Sequence, residues 1–131
     1  MSATKSAVQE GIVPGGGIAL LRLSREVEEK TTATHDFNVG VRILKKACEE
    51  PLRMIVTNAG LPADVIIEKV LNSNNFSSGF DAREEKYVDM FEAGILDPAR
   101  VVRCAVQNAT SAASLMLTTE GMIAETPEQD K

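Results

Sequence analysis

Three short stretches of this chain carry residue types that can do chemistry. The first is Val13-Pro14-Gly15-Gly16-Gly17-Ile18. Glycine loses more backbone entropy on folding than any other residue, so three in a row need a reason. Either the loop makes a tight turn, or something approaches the backbone where a side chain would hold it away. No Gly-Lys-Ser/Thr follows, so the loop is not a Walker A phosphate cradle. The second stretch is Leu96-Asp97-Pro98. Asp97 reads first as a helix cap, a role that contributes about 1 kcal/mol. Its carboxylate has two acceptor oxygens, so one can cap while the other accepts a hydroxyl. The third is Gly79-Phe80-Asp81-Ala82-Arg83. Ionised Asp81 offers acceptors only, and Arg83 can carry its charge outward on its long stem. The rest reads plainly. His35 stands in a polar connector with no metal partners spaced near it. Glu49-Glu50 and Glu84-Glu85-Lys86 are solvated faces, and Cys48 and Cys104 read as small buried hydrophobes in a reducing compartment.

The elements that must position these stretches are mostly helical. Residues 3–10 look like the end of a longer helix, with Gly11 just past its terminus. A helix is expected over 18–30, from the apolar positions Leu20, Leu23 and Val27. Asp36 or His35 can cap another, which runs to about residue 50 with a stripe of Phe37, Val41, Leu44 and Cys48. Pro51 then reads as the first residue of a new helix that Gly60 ends. Pro62 opens a third, over 62–71, with Asp64 in its first turn where the helix dipole favours an anion. Residues 76–80 and 87–91 read as a small hairpin. Asp97 as N-cap and Pro98 at the first position start the longest helix, 98–119. Its small residues, Ala109 and Ser111 to Ser114, would let another helix come close. Residues 122–125 read as an apolar end strand with no partner of its own, open to pairing with a second chain.

Bulk composition sets the limits. A chain of 131 residues suits one domain with a real core. Its 44% hydrophobic and 25% charged content is that of a globular protein, with aromatics at only 4%. A net charge of −5 without a basic stripe argues against nucleic-acid backbone binding. No apolar run is long enough to span a bilayer, and nothing resembles a signal peptide.

Taken together, "AVQEGIVPGGGIALLR", "EEPLRMIVTNAG", "GFDA", "GILDPARVVRCAVQNA" and "SLMLTTEGMI" resemble the group I, GroEL-type chaperonins, in the family's order and over nearly the whole chain. The resemblance leans toward an organellar member. It implies a mainly α fold: residues 1–131 as the C-terminal part of an equatorial domain, with a small β-hairpin and a C-terminal edge strand. It implies ATP or ADP as ligand. Gly15 and Gly16 would pack against the nucleotide, Ile95 against the adenine face, Asp97 on the ribose, and Asp81, Ala82 and Arg83 along the adenine pocket. Many family members have Asn-Ala-Ala at those last three positions. The phosphate-binding motif, the catalytic aspartates and the Mg2+ ligands would lie outside this segment, so the resemblance implies an ATPase in the intact protein and an inactive segment here. Implied partners are sister subunits in a heptameric double ring, a co-chaperonin lid and unfolded client proteins, with the edge strand as a route to self-association. Neither nucleic acid nor membrane is among them. The implied location is a plastid or mitochondrial interior or a bacterial cytoplasm. The alternative carried forward is a non-enzymatic helical interaction module, which would need none of the glycine loop, "GFDA" and "ILDP" together.

Overall fold

The computed structural model describes residues 2–29, 33–119 and 121. Five helices and two antiparallel strand pairs make up the described chain, so the expected mainly α class holds. The order is α1 (Ala3–Glu10), β1 (Ile12–Pro14), α2 (Ile18–Glu26), α3 (His35–Asn58), α4 (Ala63–Asn72), β2 (Ser78–Asp81), β3 (Lys86–Asp89), β4 (Leu96–Pro98) and α5 (Ala99–Thr118).

The core gathers Ile18 and Leu21 of α2, Leu52 and Val56 of α3, Ile66, Ile67 and Val70 of α4, with Phe80 of β2 and Met90. Each helix contributes residues three or four apart, the spacing that puts side chains on one helix face. The loop between α3 and α4 is a Schellman turn. Gly60 takes φ +76°, and the Leu61 amide donates back to the Val56 carbonyl at 3.1 Å.

Several expected boundaries move. The helix from residue 18 stops at Glu26, and Val27 is extended. Glu26, Glu28 and Glu29 would crowd the negative end of the helix dipole, and Glu29 instead accepts from Arg42 at 2.7 and 3.0 Å. The cap of α3 is Thr34, whose hydroxyl accepts from the Phe37 amide at 3.3 Å, and not His35 or Asp36. Pro51 starts no new helix: α3 runs through it for 24 residues. A proline inside a helix removes one hydrogen bond and crowds the preceding turn. Here fully buried Leu52 and Val56, both just beyond the proline, pack that part of α3 into the core, and Val41 is the buried residue before it.

Asp97 and Pro98 were expected to open the last helix, but both lie in β4, and α5 begins at Ala99. No side-chain cap bonds the start of α5. Strand β4 pairs with β1, setting Ile12 opposite Pro98, Val13 opposite Asp97 and Pro14 opposite Leu96. The Gly15 amide donating to the Ile95 carbonyl (2.8 Å) and the Ala99 amide donating to the Gly11 carbonyl (3.0 Å) extend the ladder at both ends.

Helix α5 has no buried residue among those described, and from Ala105 to Thr119 every residue is exposed. Helix α1 packs against α5, while the small residues Ala109 and Ser111 to Ser114 are exposed. Cys48 and Cys104 are half-buried and unpaired with each other, not core residues; burial and the nearby Glu49 push the Cys48 thiol upward. The expected end strand, 122–125, lies outside the described residues.

Candidate functional site

The glycine loop is built mainly by the protein's own packing. A Cβ on Gly15 would stand 3.1 Å from the Ile95 carbonyl and the Leu96 nitrogen, so this glycine lets β4 lie against the loop. A Cβ on Gly17 would come within 2.7 Å of the Leu52 nitrogen, and its φ is +78°. Gly17 therefore lets α2 start directly against the backbone of α3. Gly16, with φ +65°, lines a cleft, and a Cβ on it would stand 3.1 Å from the end of the Met90 side chain.

That cleft has a volume of about 440 Å³, inside the range of small-molecule sites. Gly16 from the loop, Ile55 from α3, Asp81 to Glu84 from the β2–β3 turn, and Ile95 before β4 converge on it, with Phe80 and Ala93 completing the wall. The wall is largely aliphatic and aromatic, with charged groups on one rim. Such a slot accepts a flat apolar-faced ring whose polar edges reach the rim.

Each wall is set by local chemistry. The hairpin pairs Asp81 with Lys86 and Phe80 with Tyr87. Asp81 Oδ1 accepts from the Arg83 and Glu84 amides at 2.9 and 3.2 Å, an Asx turn that folds the rim back on itself. One carboxylate oxygen of Asp81 is therefore engaged in the turn, leaving Oδ2 as an acceptor. Arg83 is exposed and lines the rim of the cleft. Phe80 is buried and meets Tyr87 edge-on at 5.1 Å, and the Lys69 ammonium lies 4.0 Å over the Tyr87 ring.

On the opposite side, Asp89 Oδ1 accepts from the Phe91 and Glu92 amides at 2.9 and 3.2 Å, and its other oxygen meets the Ser77 hydroxyl. These bonds, the Ser77 hydroxyl first, hold the Asp89 carboxyl below its ordinary value. The turn closes with Gly94 at φ +71° and the Ile95 amide donating to the Met90 carbonyl at 2.9 Å, which delivers Ile95 to the cleft.

Of the residues singled out in the sequence, Gly16, Asp81, Ala82, Arg83 and Ile95 share the cleft. Gly15 lies behind it, buried against β4. Asp97 does not line it. It lies two residues beyond Ile95 on the same extended segment, half-buried, on the same face by strand alternation. No hydrogen bond or ion pair engages its carboxylate among the described residues, so both oxygens remain available. Sequence reasoning missed Ile55 and Ala93. Ile55 belongs to the stretch read as a separate helix, and Ala93 sits in a turn that only the Asp89 bonds reveal.

A model of the TCP-1/cpn60 chaperonin family matches residues 1–127. Among solved structures, the chain is similar to a group III chaperonin in the open state, with 33% identity and a TM-score of 0.81 over 90% of this chain. It is also similar to the open-state monomer of a group II chaperonin from Methanococcoides burtonii, with 25% identity and a TM-score of 0.75 over 82% of this chain. The matches cover 25% and 28% of those two chains, so this chain spans about a quarter of their length.

Proposed function

The chain belongs to the TCP-1/cpn60 chaperonin family, and from that premise we propose that it forms the base- and sugar-binding side of a nucleotide site in an ATP-dependent protein-folding machine. The observation that carries this reading is the convergence of Gly16, Asp81, Ala82 and Ile95, from three separate segments, on one apolar slot with a polar rim. An adenine ring suits the slot, lying against Ile95 and Ile55 beside the Gly16 backbone. Asp81 Oδ2 is placed to accept from an exocyclic amine. Asp97, further along the same strand face, is placed for the ribose hydroxyls.

The residues fit a nucleoside better than a triphosphate. Arg83 is the one cation among the described residues that line the cleft, and it faces solvent. No group of three or more His, Cys, Asp or Glu among the described residues could hold a metal ion. In this reading the Mg2+ ligands and the phosphate donors belong elsewhere in the intact protein. Phosphoryl transfer depends on cations and positioned donors around the transferred group, so this chain alone is an incomplete ATPase. When bound, ATP supplies the intact assembly with the free energy of phosphoanhydride cleavage, while the residues here hold and orient base and sugar.

The same reading places the chain in the C-terminal part of an equatorial, ring-forming domain. Its bare α5, with Leu115, Met116 and Leu117 each more than two-thirds exposed, suits burial against segments this chain does not include. Unfolded clients, sister subunits and a co-chaperonin lid are partners of the intact protein in this reading. The "EGIVPGGG" and "GILDP" stretches carry the finer assignment to the GroEL-type group, in an organelle or a bacterial cytoplasm. Images of the intact protein test that assignment: seven subunits per ring support it, and any other symmetry overturns it.

The test of the site is a titration of the isotope-labelled chain with adenosine and ADP, followed by amide NMR. Shifts confined to Gly16, Asp81–Arg83, Ile95 and Asp97 support the reading. A well-dispersed spectrum that does not move rejects nucleoside binding by this chain.

A further inference from the structure

Arg22 is the most unusual buried group in the chain. It lies in α2, one turn beyond Ile18, and only 6% of it is exposed. Among the described residues no carboxylate pairs with it. Its guanidinium donates instead to three main-chain carbonyls: Ser73 at 2.7 Å, Asn75 at 2.8 Å and Ser78 at 2.9 Å. Its Nε has no partner among the described residues. Burial, with the nearby Arg25 second, lowers its proton affinity. A buried cation held only by carbonyl dipoles is costly, and an aliphatic residue would fill the space more cheaply.

What the three carbonyls have in common is their place in the chain. Ser73 follows α4, Asn75 lies in the connector, and Ser78 opens β2. A planar guanidinium fork fixes three acceptors in one plane, which a flexible ammonium does not. Beside it, Ile18 packs on Gly79 so closely that a Cβ there would stand 2.7 Å from the Ile18 side chain. Ile18 follows directly on the glycine loop, and Gly79 precedes Phe80 and Asp81. The Arg22 bonds and the Ile18–Gly79 contact together fix the start of β2 against the start of α2.

We propose that Arg22 is a positioning residue for the cleft: it sets the β2–β3 rim, Asp81 to Arg83, at the correct distance from the Gly16 wall. This deepens the nucleotide-site reading and rests on it for the ligand, but the geometry it asserts is measurable without one.

The experiment compares the wild-type chain with Arg22→Met and Arg22→Lys, all isotope-labelled. Ile18–Gly79 proton contacts report the geometry, adenosine titration reports binding, and thermal unfolding reports stability. The expected result is a folded variant in which the Ile18–Gly79 contacts weaken, resonances 78–83 shift, and adenosine affinity falls at least about tenfold, the effect of losing one or more charge-assisted hydrogen bonds. A lower melting temperature with contacts and affinity unchanged overturns the proposal and makes Arg22 a loop tie only. If Arg22→Met does not fold, Arg22→Lys decides: it keeps the charge but not the fork, so loss of the contacts supports the proposal and their retention overturns it. If wild type binds no adenosine, the nucleotide reading fails, and the Ile18–Gly79 contacts alone decide the role of Arg22.

Discussion

Gly17 and Leu52 touch backbone to backbone: a Cβ on Gly17 would stand 2.7 Å from the Leu52 nitrogen and 3.1 Å from its Cα. The glycine is therefore required twice, once by its φ of +78° and once by the wall of α3 behind it. Gly17→Ala should destabilise the chain by about 2 kcal/mol or more, since strain and clash add. Gly60→Ala provides the comparison. Gly60 has a similar φ of +76° with nothing within 4 Å, so strain alone applies, about 1 kcal/mol. Urea unfolding of the two variants checks the order. Equal losses would show that the α2–α3 approach contributes nothing.

Asp97 has both oxygens available and shares a strand face with Ile95. Wild type is expected to bind adenosine more tightly than 2′,3′-dideoxyadenosine. Asp97→Ala should lower adenosine affinity about tenfold and leave the dideoxy analogue unchanged, erasing the difference. Calorimetric titration of both ligands against both proteins measures this. A difference that survives the substitution removes Asp97 from the sugar contact.

ATP turnover by the chain alone is expected to stay at the buffer rate with Mg2+ present, because the cleft residues supply no phosphate donors. A phosphate-release assay reads this directly. Turnover above the control that disappears in Asp97→Ala would falsify the division of labour proposed for the intact protein.

Acid should loosen the junction of α1 and α5. Glu10 accepts from Arg103 at 2.6 and 3.1 Å, and this pair, through its hydrogen bond first, holds the Glu10 carboxyl below its ordinary value of 4.5. A carboxyl lowered in the folded state contributes stability above its unfolded value and loses it as pH falls through the folded one. The Glu10–Arg103 contribution is thus complete above about pH 5 and is lost below 4.5. Melting temperatures of wild type and Glu10→Gln should differ at pH 7 and converge near pH 3. Both partners are largely solvated, so the difference should be small and should shrink in high salt. A gap that persists at pH 3 would point to packing and not charge.

Much of this protein follows from its sequence alone. Helical stretches are expected across α2, α3 and α4 and form there, but the expected apolar stripes only partly match the buried faces: α2 buries Ile18 and Leu21 while Leu23 is exposed, and α3 buries Val41 while Phe37 and Leu44 are exposed. Gly11 and Gly60 mark helix ends because they permit φ values that other residues resist. The two aromatic-bearing stretches form the hairpin expected of them, and Gly16, Asp81 to Arg83 and Ile95 do converge. Other features were decided only in three dimensions. Pro51 stays inside α3, and Leu52 and Val56 just beyond it are buried in the core, a tertiary contact that local helix-breaking rules do not see. Asp97 and Pro98 carry the strongest helix-start signal in the chain, yet they form a strand, because Ile12 to Pro14 offers the extended partner that a local reading cannot see. Gly15 reads as a ligand-contact candidate alongside Gly16, yet its nearest neighbour is the Ile95 and Leu96 backbone, as Leu52 is for Gly17. Arg22 looks like any arginine in an amphipathic helix until the connector after α4 folds over it. In each case the deciding energy comes from residues distant along the chain, and periodicity and capping rules carry no information about them.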